Sequence, residues 1–172
     1  MQVQIGPYPK GEKERRIKIK IHPYDVWSLD HTLAIIIHPA LVLLKEKKHG
    51  APYVDDADVP IELRKSSFIG PMQNDWDTDL FHFDRWDWVL DEMIWAFDHI
   101  LNDDWEDEFH SGVVDHEFEP LDEVDNDGEP LYEWKQGPNH TFKIDIEGLK
   151  KMRDRIDNGT RLFGVYFTSL WD

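Results

Sequence analysis

Cysteine is absent from this chain of 172 residues, and its absence excludes disulfide bonds and thiolate chemistry. Long apolar runs are absent as well, because the longest, from Leu33 to Leu44, contains His38 and Pro39 and is too short to span a bilayer. The first twenty residues are polar and basic and lack the apolar segment of a secretory signal. We therefore expect a protein that works in a reducing cytosol and outside the membrane.

Familiar catalytic motifs are also missing. The sequence contains no Walker loop, no dinucleotide-binding glycine pattern, no nucleophile elbow and no paired zinc motif. A nucleophilic hydrolase is disfavoured on these grounds. The sequence predicts no catalytic residue, no cofactor and no bound metal, and it leaves the question of enzymatic activity open.

The chain has negative charge and tryptophan in excess. Its formal net charge is -17, and it contains eight Trp. Residues 1–50 sum to +4, residues 51–140 to -22, and residues 141–172 to +1. Nucleic acid and anionic membranes are poor direct partners for such an acidic middle section. The two ends, if they pack together, would still be able to build a local cationic pocket.

Tryptophan is concentrated within the acidic section. Five of the eight, Trp76, Trp86, Trp88, Trp95 and Trp105, stand among Asp and Glu side chains in residues 74–109. Buried cores rarely hold so many carboxylates, and exposed acidic loops rarely hold so many indoles. This segment is therefore predicted to present aromatic rings on more than one face, which indicates surfaces that meet something.

Length and periodicity predict one α+β domain over residues 1–172, with three long, bundle-like helices and a small antiparallel sheet or hairpin. Alternation over residues 16–22 predicts a half-buried strand with a basic outer face. The first helix has a candidate N-cap at Ser28, a candidate C′ residue at Gly50 and a kink at Pro39. The predicted helices cover roughly residues 28–50, 79–101 and 145–171, and the apolar stripe of the third stays in phase across Gly159 as far as Leu170.

An acidic, turn-rich insertion, roughly residues 102–140, separates the second helix from the third. Segments 113–118 and 131–134 are predicted to pair as a hairpin around the turn Asn126-Asp127-Gly128, with segment 141–144 as a third strand. The acidic turn resembles part of a calcium loop, but its first position is Glu123 and its twelfth is Trp134. We therefore interpret it as a turn.

The second helix has aromatic residues on two sides. Its predicted core stripe is Trp86, Leu90, Met93, Phe97 and Ile100, and Trp88 and Trp95 point nearly opposite to that stripe. These two indoles need a second partner, which is another helix, another subunit or a ligand. The first helix also has apolar residues among its histidines, which suggests a partner surface there too. We therefore predict a homo-oligomer.

Three groups of polar residues are candidates for binding. His31 and His38 lie seven residues apart, about 10 Å along a helix, and would line an anion-binding groove or a solvated face. Asp84, Asp87 and Asp91 have a helical spacing, so that their carboxylates would either share a divalent cation or face the solvent. The loop 137–141, with Asn139, His140 and Thr141, would hold a phosphate or a base edge, or form a structural turn.

Several blocks of the sequence carry a family resemblance. They are Trp27-Ser-Leu-Asp-His-Thr-Leu33, Lys48-His-Gly-Ala-Pro52, His82-Phe-Asp-Arg-Trp-Asp-Trp-Val89, Asp91-Glu-Met-Ile-Trp-Ala-Phe97, Asp103-Asp-Trp-Glu-Asp107, Gly137-Pro-Asn-His-Thr141 and Leu162-Phe-Gly164. Together they are similar to a family of small, acidic, Trp-rich proteins of tailed bacteriophages. The resemblance covers most of residues 17–172. It implies a phage origin and action in the host cytoplasm, and it carries over no catalytic residue.

A phage protein without enzyme motifs acts most simply by binding. One hypothesis is the sequestration of a nucleotide-type signal of bacterial immunity in a pocket with cationic and aromatic lining. The candidate ligand-binding residues are His31, His38, Arg64, Lys65, Arg85, Trp88, Trp95, Asn139, His140, Thr141 and Arg161. A second hypothesis is an acidic DNA mimic that inhibits a host protein. A third is a metal-dependent hydrolase that uses Asp87, Asp91 and a histidine of the first helix, and a structural role in the virion also stays open.

Overall fold

The computed structural model describes residues 1–6, 14–67, 70, 74 and 77–171. Trp76, one of the five tryptophans of the acidic section, lies outside the described residues. The described elements are three long helices, α1 (Leu29–Lys47), α2 (His82–Leu101) and α3 (Ile146–Val165), and six strands, β1 (Gln2–Ile5), β2 (Ile17–Lys20), β3 (His110–Ser111), β4 (His116–Val124), β5 (Pro130–Gln136) and β6 (Lys143–Ile144). Helices combined with small antiparallel sheets confirm the α+β class in its broad form.

The chain divides into two compact units. The first comprises residues 1–102 and 154–172, and the second comprises residues 103–153. The first unit therefore contains α1, α2, the β1–β2 ribbon and the last turns of α3. The second contains the other four strands and the first turns of α3.

Helix α2 is the centre of the first unit. Eight of its residues are buried, and Trp86, Leu90 and Met93 from the predicted stripe are among the largest fully buried side chains. The helix begins at His82 rather than at Asp79, because the Asp79 carboxylate accepts a hydrogen bond from the Phe81 amide at 2.9 Å and so turns the chain before the first helical residue.

Helix α1 starts after Ser28 as predicted but ends at Lys47, before Gly50. A backbone hydrogen bond closes its last turn, since the Lys48 amide donates to the Leu44 carbonyl at 2.9 Å. The Ser28 hydroxyl forms no capping bond, and Gly50 does not adopt a left-handed conformation. Pro39 lies inside the helix, as its position in the sequence requires.

Helix α3 runs through Gly159 without a break, as its unbroken stripe predicted, but it ends at Val165 and not at Trp171. A short 3₁₀ turn, Phe167–Ser169, follows and allows Leu170 to pack against the core. Positions i and i+3 lie on one side of a 3₁₀ turn as well as of an α-helix. The phase of Phe167 and Leu170 therefore could not reveal where the α-helix stops.

The second unit contains the predicted hairpin. Strands β4 and β5 pair antiparallel with Phe118 opposite Trp134. Their connection is a turn in which the Asp125 carboxylate accepts from the amides of Asp127 and Glu129, both at 2.9 Å, and Gly128 takes the positive φ of 85° that the turn needs. The predicted third strand was placed wrongly, because β6 pairs with β3 in a separate sheet.

The N-terminal strands also differ from the sequence prediction. Strand β2 pairs antiparallel with β1 in a two-stranded ribbon, so that Val3 faces Ile19 and Ile5 faces Ile17. The alternation in β2 predicted a half-buried strand, but every residue of both strands is exposed. An aliphatic face is therefore present in the ribbon without the cover that the pattern implied.

Candidate functional site

A hollow of about 220 Å³ opens in the first unit beside the first turn of α2. It combines one phenol, one hydroxyl, one imidazole, two cationic side chains and two carboxylates. The described residues that line it are Tyr53, Lys65, Asp77, Thr78, Asp79, His82 and Arg85. Two of these, Lys65 and Arg85, are among the predicted ligand-binding residues.

The Arg85–Asp79 ion pair forms the buried wall of the hollow. Arg85 Nη2 lies 2.8 Å from both carboxylate oxygens of Asp79, and the two residues are only 3% and 8% exposed. Arg85 Nη1 also donates to the Leu63 carbonyl at 2.8 Å. The guanidinium therefore holds the loop 51–67 against α2. Its charge is cancelled by Asp79, so Arg85 supports the site and does not offer the free cation that the sequence suggested.

Backbone hydrogen bonds to Asp56 hold Lys65 at the opening of the hollow. Its amide donates to the Asp56 carboxylate at 2.7 Å, and the Ser66 amide donates to the same carboxylate at 3.1 Å. Burial would raise the pKa of Asp56, but these hydrogen bonds outweigh it, and the pKa lies below its usual value. The Lys65 side chain is exposed, and no carboxylate of the described residues pairs with its ammonium group.

His82 and Tyr53 give the hollow a hydrogen-bonding group and a flat ring. His82 Nε2 lies 3.0 Å from the Ala51 carbonyl, and because a carbonyl only accepts, this nitrogen carries the hydrogen. The other ring nitrogen, Nδ1, then accepts in the neutral form and donates in the protonated form. Tyr53 is 70% exposed, so one face of its ring is available for stacking.

A second polar network fixes the same loop to the end of α3. The Tyr166 hydroxyl donates to Asp58 Oδ2 at 2.7 Å and accepts from the Asp55 amide at 3.0 Å. Arg161 Nη2 donates to Asp58 Oδ1 at 2.7 Å and to the Asn158 amide oxygen at 2.9 Å. Arg161, predicted to bind a ligand, is therefore engaged in holding the loop.

Tyr166→Phe tests this network through its pH dependence. Burial of the phenol, together with its bond to Asp58, raises the pKa of Tyr166 from 10.0 to about 12, while the Asp55 amide acts in the opposite direction. A raised folded-state pKa stabilises the fold below pH 10, and this contribution is lost as the pH rises towards 12. We expect the wild type to exceed Tyr166→Phe in unfolding free energy by on the order of 2 kcal/mol at pH 8.

The difference between the two proteins should shrink between pH 10 and 12, which urea unfolding at each pH measures. Lysine titration in this pH range affects both proteins equally, so it cancels in the difference between their unfolding free energies. A difference that stays constant up to pH 12 would contradict the raised pKa.

The two indoles opposite the core stripe are covered within their own chain, which corrects the prediction that they face outward. Trp88 is half-buried and packs against the hydrophobic core. The Arg155 guanidinium lies 3.8 Å from the centre of the Trp95 ring, and His99 stacks on that ring at 3.9 Å. Arg155 also contacts Glu92 with two hydrogen bonds, and this contact raises the pKa of Arg155.

The remaining candidates of the first unit do not join the hollow. His31 is exposed on α1, and His38 Nε2 lies 4.0 Å from an Asp98 oxygen. Arg64 precedes Lys65 in the chain, but its Nε donates to the Val59 carbonyl at 3.3 Å. Only Lys65 of the predicted residues therefore brings an unpaired charge to the site.

The loop 137–141 in the second unit is closed by internal hydrogen bonds. The Asn139 amide donates to the Asp115 carboxylate at 2.9 Å, and the His140 amide donates to the Gly137 carbonyl at 3.1 Å. The Thr141 amide donates to the Val113 carbonyl at 3.0 Å. These amides are used within the protein, and Asp115 adds a negative charge, so the geometry corresponds to a structural turn and not to a phosphate cradle.

The aspartates of α2 do not gather around a cation. Asp87 Oδ1 lies 2.7 Å from Lys48 Nζ, and Asp91 pairs with Lys45. In the part of the chain that the structure describes, no three His, Asp or Glu side chains are grouped closely enough to hold a metal ion.

Sequence reasoning missed five of the seven lining residues, which are Tyr53, Asp77, Thr78, Asp79 and His82. A signal for two of them was present, because Asp79, His82 and Arg85 are spaced three apart, and residues at that spacing share one side of a helical turn. Tyr53 carries no such signal, and it reaches the hollow only because the loop 51–67 folds back on α2.

Comparison of the chain with known protein families, with curated proteins and with solved structures finds no match. Among the described helices, none combines the length and the apolar character that crossing a membrane requires.

Proposed function

We propose that this chain is a non-enzymatic binding protein whose hollow takes a small, anionic, nucleotide-like ligand. The observation that carries the proposal is the Lys65 ammonium, which has no carboxylate partner among the described residues and lines a hollow beside Tyr53 and His82. An unpaired cation is notable in a chain with a net charge of -17. Together with Arg85 it balances Asp77 and Asp79, so the hollow repels an anionic group less than most of the surface does.

The residues of the hollow suggest how such a ligand binds. Lys65 and the Thr78 hydroxyl would hold a phosphate or carboxylate, and His82 Nδ1 would meet a donor or, when protonated, the anion itself. A base would stack on the exposed ring of Tyr53. Typical ligand pockets measure roughly 300–1,000 Å³. The hollow is about 220 Å³, so it suits one nucleotide unit of a larger molecule.

The resemblance to tailed-phage proteins supports a biological setting for this activity. The protein would be phage-encoded, act in the host cytoplasm and sequester a nucleotide-type signal of bacterial immunity. Mass spectrometry of protein purified from infected cells tests this directly. Titration with cyclic oligonucleotides and ADP-ribose derivatives tests it in solution. The absence of any bound species in both experiments would refute the proposal.

Lys65→Glu should weaken ligand binding at least tenfold, because a charge-assisted hydrogen bond worth about 1.5–3 kcal/mol is replaced by repulsion. Tyr53→Ala should weaken it by a similar factor through the loss of stacking. Lys150→Glu makes the same charge change at an exposed residue that does not line the hollow, and it serves as the matched control. Isothermal titration measures all three variants, and equal affinities for Lys65→Glu and Lys150→Glu would place binding elsewhere.

A second candidate is inhibition of a basic host protein by charge mimicry of DNA. The second unit contains sixteen Asp or Glu and five Lys or Arg, a balance of -11. Every residue of β4 and β5 is exposed. Such a surface suits a cationic partner. A pull-down from host lysate that returns no basic protein would count against this candidate.

The third hypothesis, a metal-dependent hydrolase, has no supporting contact among the described residues.

The protein is also proposed to form a homo-oligomer. The indoles that first suggested it are covered within the chain, so this proposal now depends on the apolar residues of α1 that remain exposed.

A further inference from the structure

Helix α1 is apolar on nearly all sides and yet is largely uncovered. Only Ala34 and Leu41 are buried, whereas α2 buries eight residues. The exposed large residues of α1 are Leu29, Leu33, Ile35, Ile36, Val42 and Leu43. A helix that is apolar all round is normally found in an interior. The outward face of α1 therefore lacks a covering element among the described residues of its own chain.

The aliphatic face of the β1–β2 ribbon is uncovered as well. Val3, Ile5, Ile17 and Ile19 share one face, because the register places Val3 opposite Ile19 and Ile5 opposite Ile17. All four are exposed, while the opposite face carries Gln and Lys side chains. A two-stranded ribbon on its own is marginally stable in water, so its aliphatic face needs a partner.

The exposed apolar area of this region is large enough for a stable interface. Fourteen large hydrophobic residues among the described residues of 1–44 are exposed, and they include Tyr24 and Trp27. Two aromatic rings contribute on the order of 300 Å², and twelve aliphatic residues raise the total to roughly 1,000 Å². This total, spread over the ribbon, α1 and the segment between them, is comparable to the roughly 800 Å² that each partner brings to a stable dimer.

We infer that the partner is a second copy of this chain, with the ribbon of each copy packed on the α1 face of the other. This inference deepens the proposed self-association by naming its surfaces. A strand of four residues spans about 13 Å, which matches two to three turns of a helix. A two-fold arrangement covers both faces of both copies with no further component.

The α1 face adds little electrostatic repulsion against a second copy, because Asp30 and His31 are the only exposed residues of α1 with an ionisable side chain before Glu46.

Single-cysteine variants test the arrangement without interference, because the chain has no native cysteine. Ile19→Cys and Ile35→Cys chains, one of them enlarged by a tag, are mixed and treated with a short bismaleimide. We expect a covalent heterodimer on a denaturing gel. In the control, Val165→Cys replaces Ile35→Cys. Val165 lies in the same unit and is similarly exposed (54% against 56%), but it belongs to α3. We expect no cross-link from this variant.

Sedimentation velocity supplies the second measurement. The wild type and Val165→Glu should sediment as dimers at micromolar concentration, while Ile19→Glu and Ile35→Glu should sediment as monomers with unchanged circular dichroism. A monomeric wild type would overturn self-association and the arrangement together. A dimer without the Ile19–Ile35 cross-link would overturn the arrangement alone, and neither result bears on ligand binding at Lys65.

Discussion

Arg85→Met lowers the free energy of unfolding by about 3–5 kcal/mol, the largest effect that we expect from a single substitution in this protein. The side chains of Arg85 and Asp79 are only 4% and 1% exposed. Removal of the guanidinium leaves the Asp79 carboxylate buried without a counter-charge. It also leaves the Leu63 carbonyl without the donor that lies 2.8 Å away. The loop that carries Lys65 then loses one of its attachments to α2, and ligand binding weakens as a result.

Chemical unfolding monitored by tryptophan fluorescence measures this effect. Lys151→Met is the matched control, because Lys151 and Glu147 form a pair at 2.7 Å with side chains that are 74% and 80% exposed. An exposed pair of this spacing contributes only about 0.3–0.5 kcal/mol. Equal losses for the two variants would show that burial does not govern the Arg85–Asp79 pair.

Gly159→Ala destabilises the protein by about 2 kcal/mol, although alanine is the better helix former by roughly 1 kcal/mol. A Cβ at position 159 would lie 2.3 Å from Ala96 Cβ and 2.6 Å from the Glu92 carbonyl oxygen. Both atoms belong to α2, and one of them is backbone, so the two helices must move apart. The cost of this separation exceeds the gain in helix propensity.

Gly164→Ala provides an internal control in the same helix. A Cβ at position 164 meets no atom within 4 Å, so the substitution should stabilise the protein by about 1 kcal/mol. Thermal and urea unfolding of the two variants should therefore move in opposite directions. A stabilised Gly159→Ala variant would mean that α3 does not approach α2 as closely as described.

Local patterns in the sequence predicted much of the secondary structure. The stripe of Trp86, Leu90 and Met93 identified the buried side of α2. The turn Asn126-Asp127-Gly128 identified the β4–β5 hairpin, and the unbroken phase across Gly159 identified a continuous α3. Each of these features depends on residues close together in the chain, and spacing in the sequence is sufficient to detect them.

The composition of the binding site could be predicted only in part. Lys65 and Arg85 were identified by their charge, but charge alone does not reveal that Asp79 neutralises one of them and that the other lacks an ionic partner among the described residues. Arg161 and the loop 137–141 had suitable chemistry but are engaged with Asp58 and Asp115. Whether a polar group is available depends on what folds against it.

The sequence by itself determined the absence of cysteine chemistry, the acidic charge and its uneven distribution, and the helices and the hairpin. Only the tertiary structure decided that Trp88 and Trp95 are covered by their own chain, while the aliphatic faces of α1 and the ribbon are not. The physical reason is that periodicity shows which side of an element is apolar. Whether that side is covered depends on contacts between residues distant in sequence.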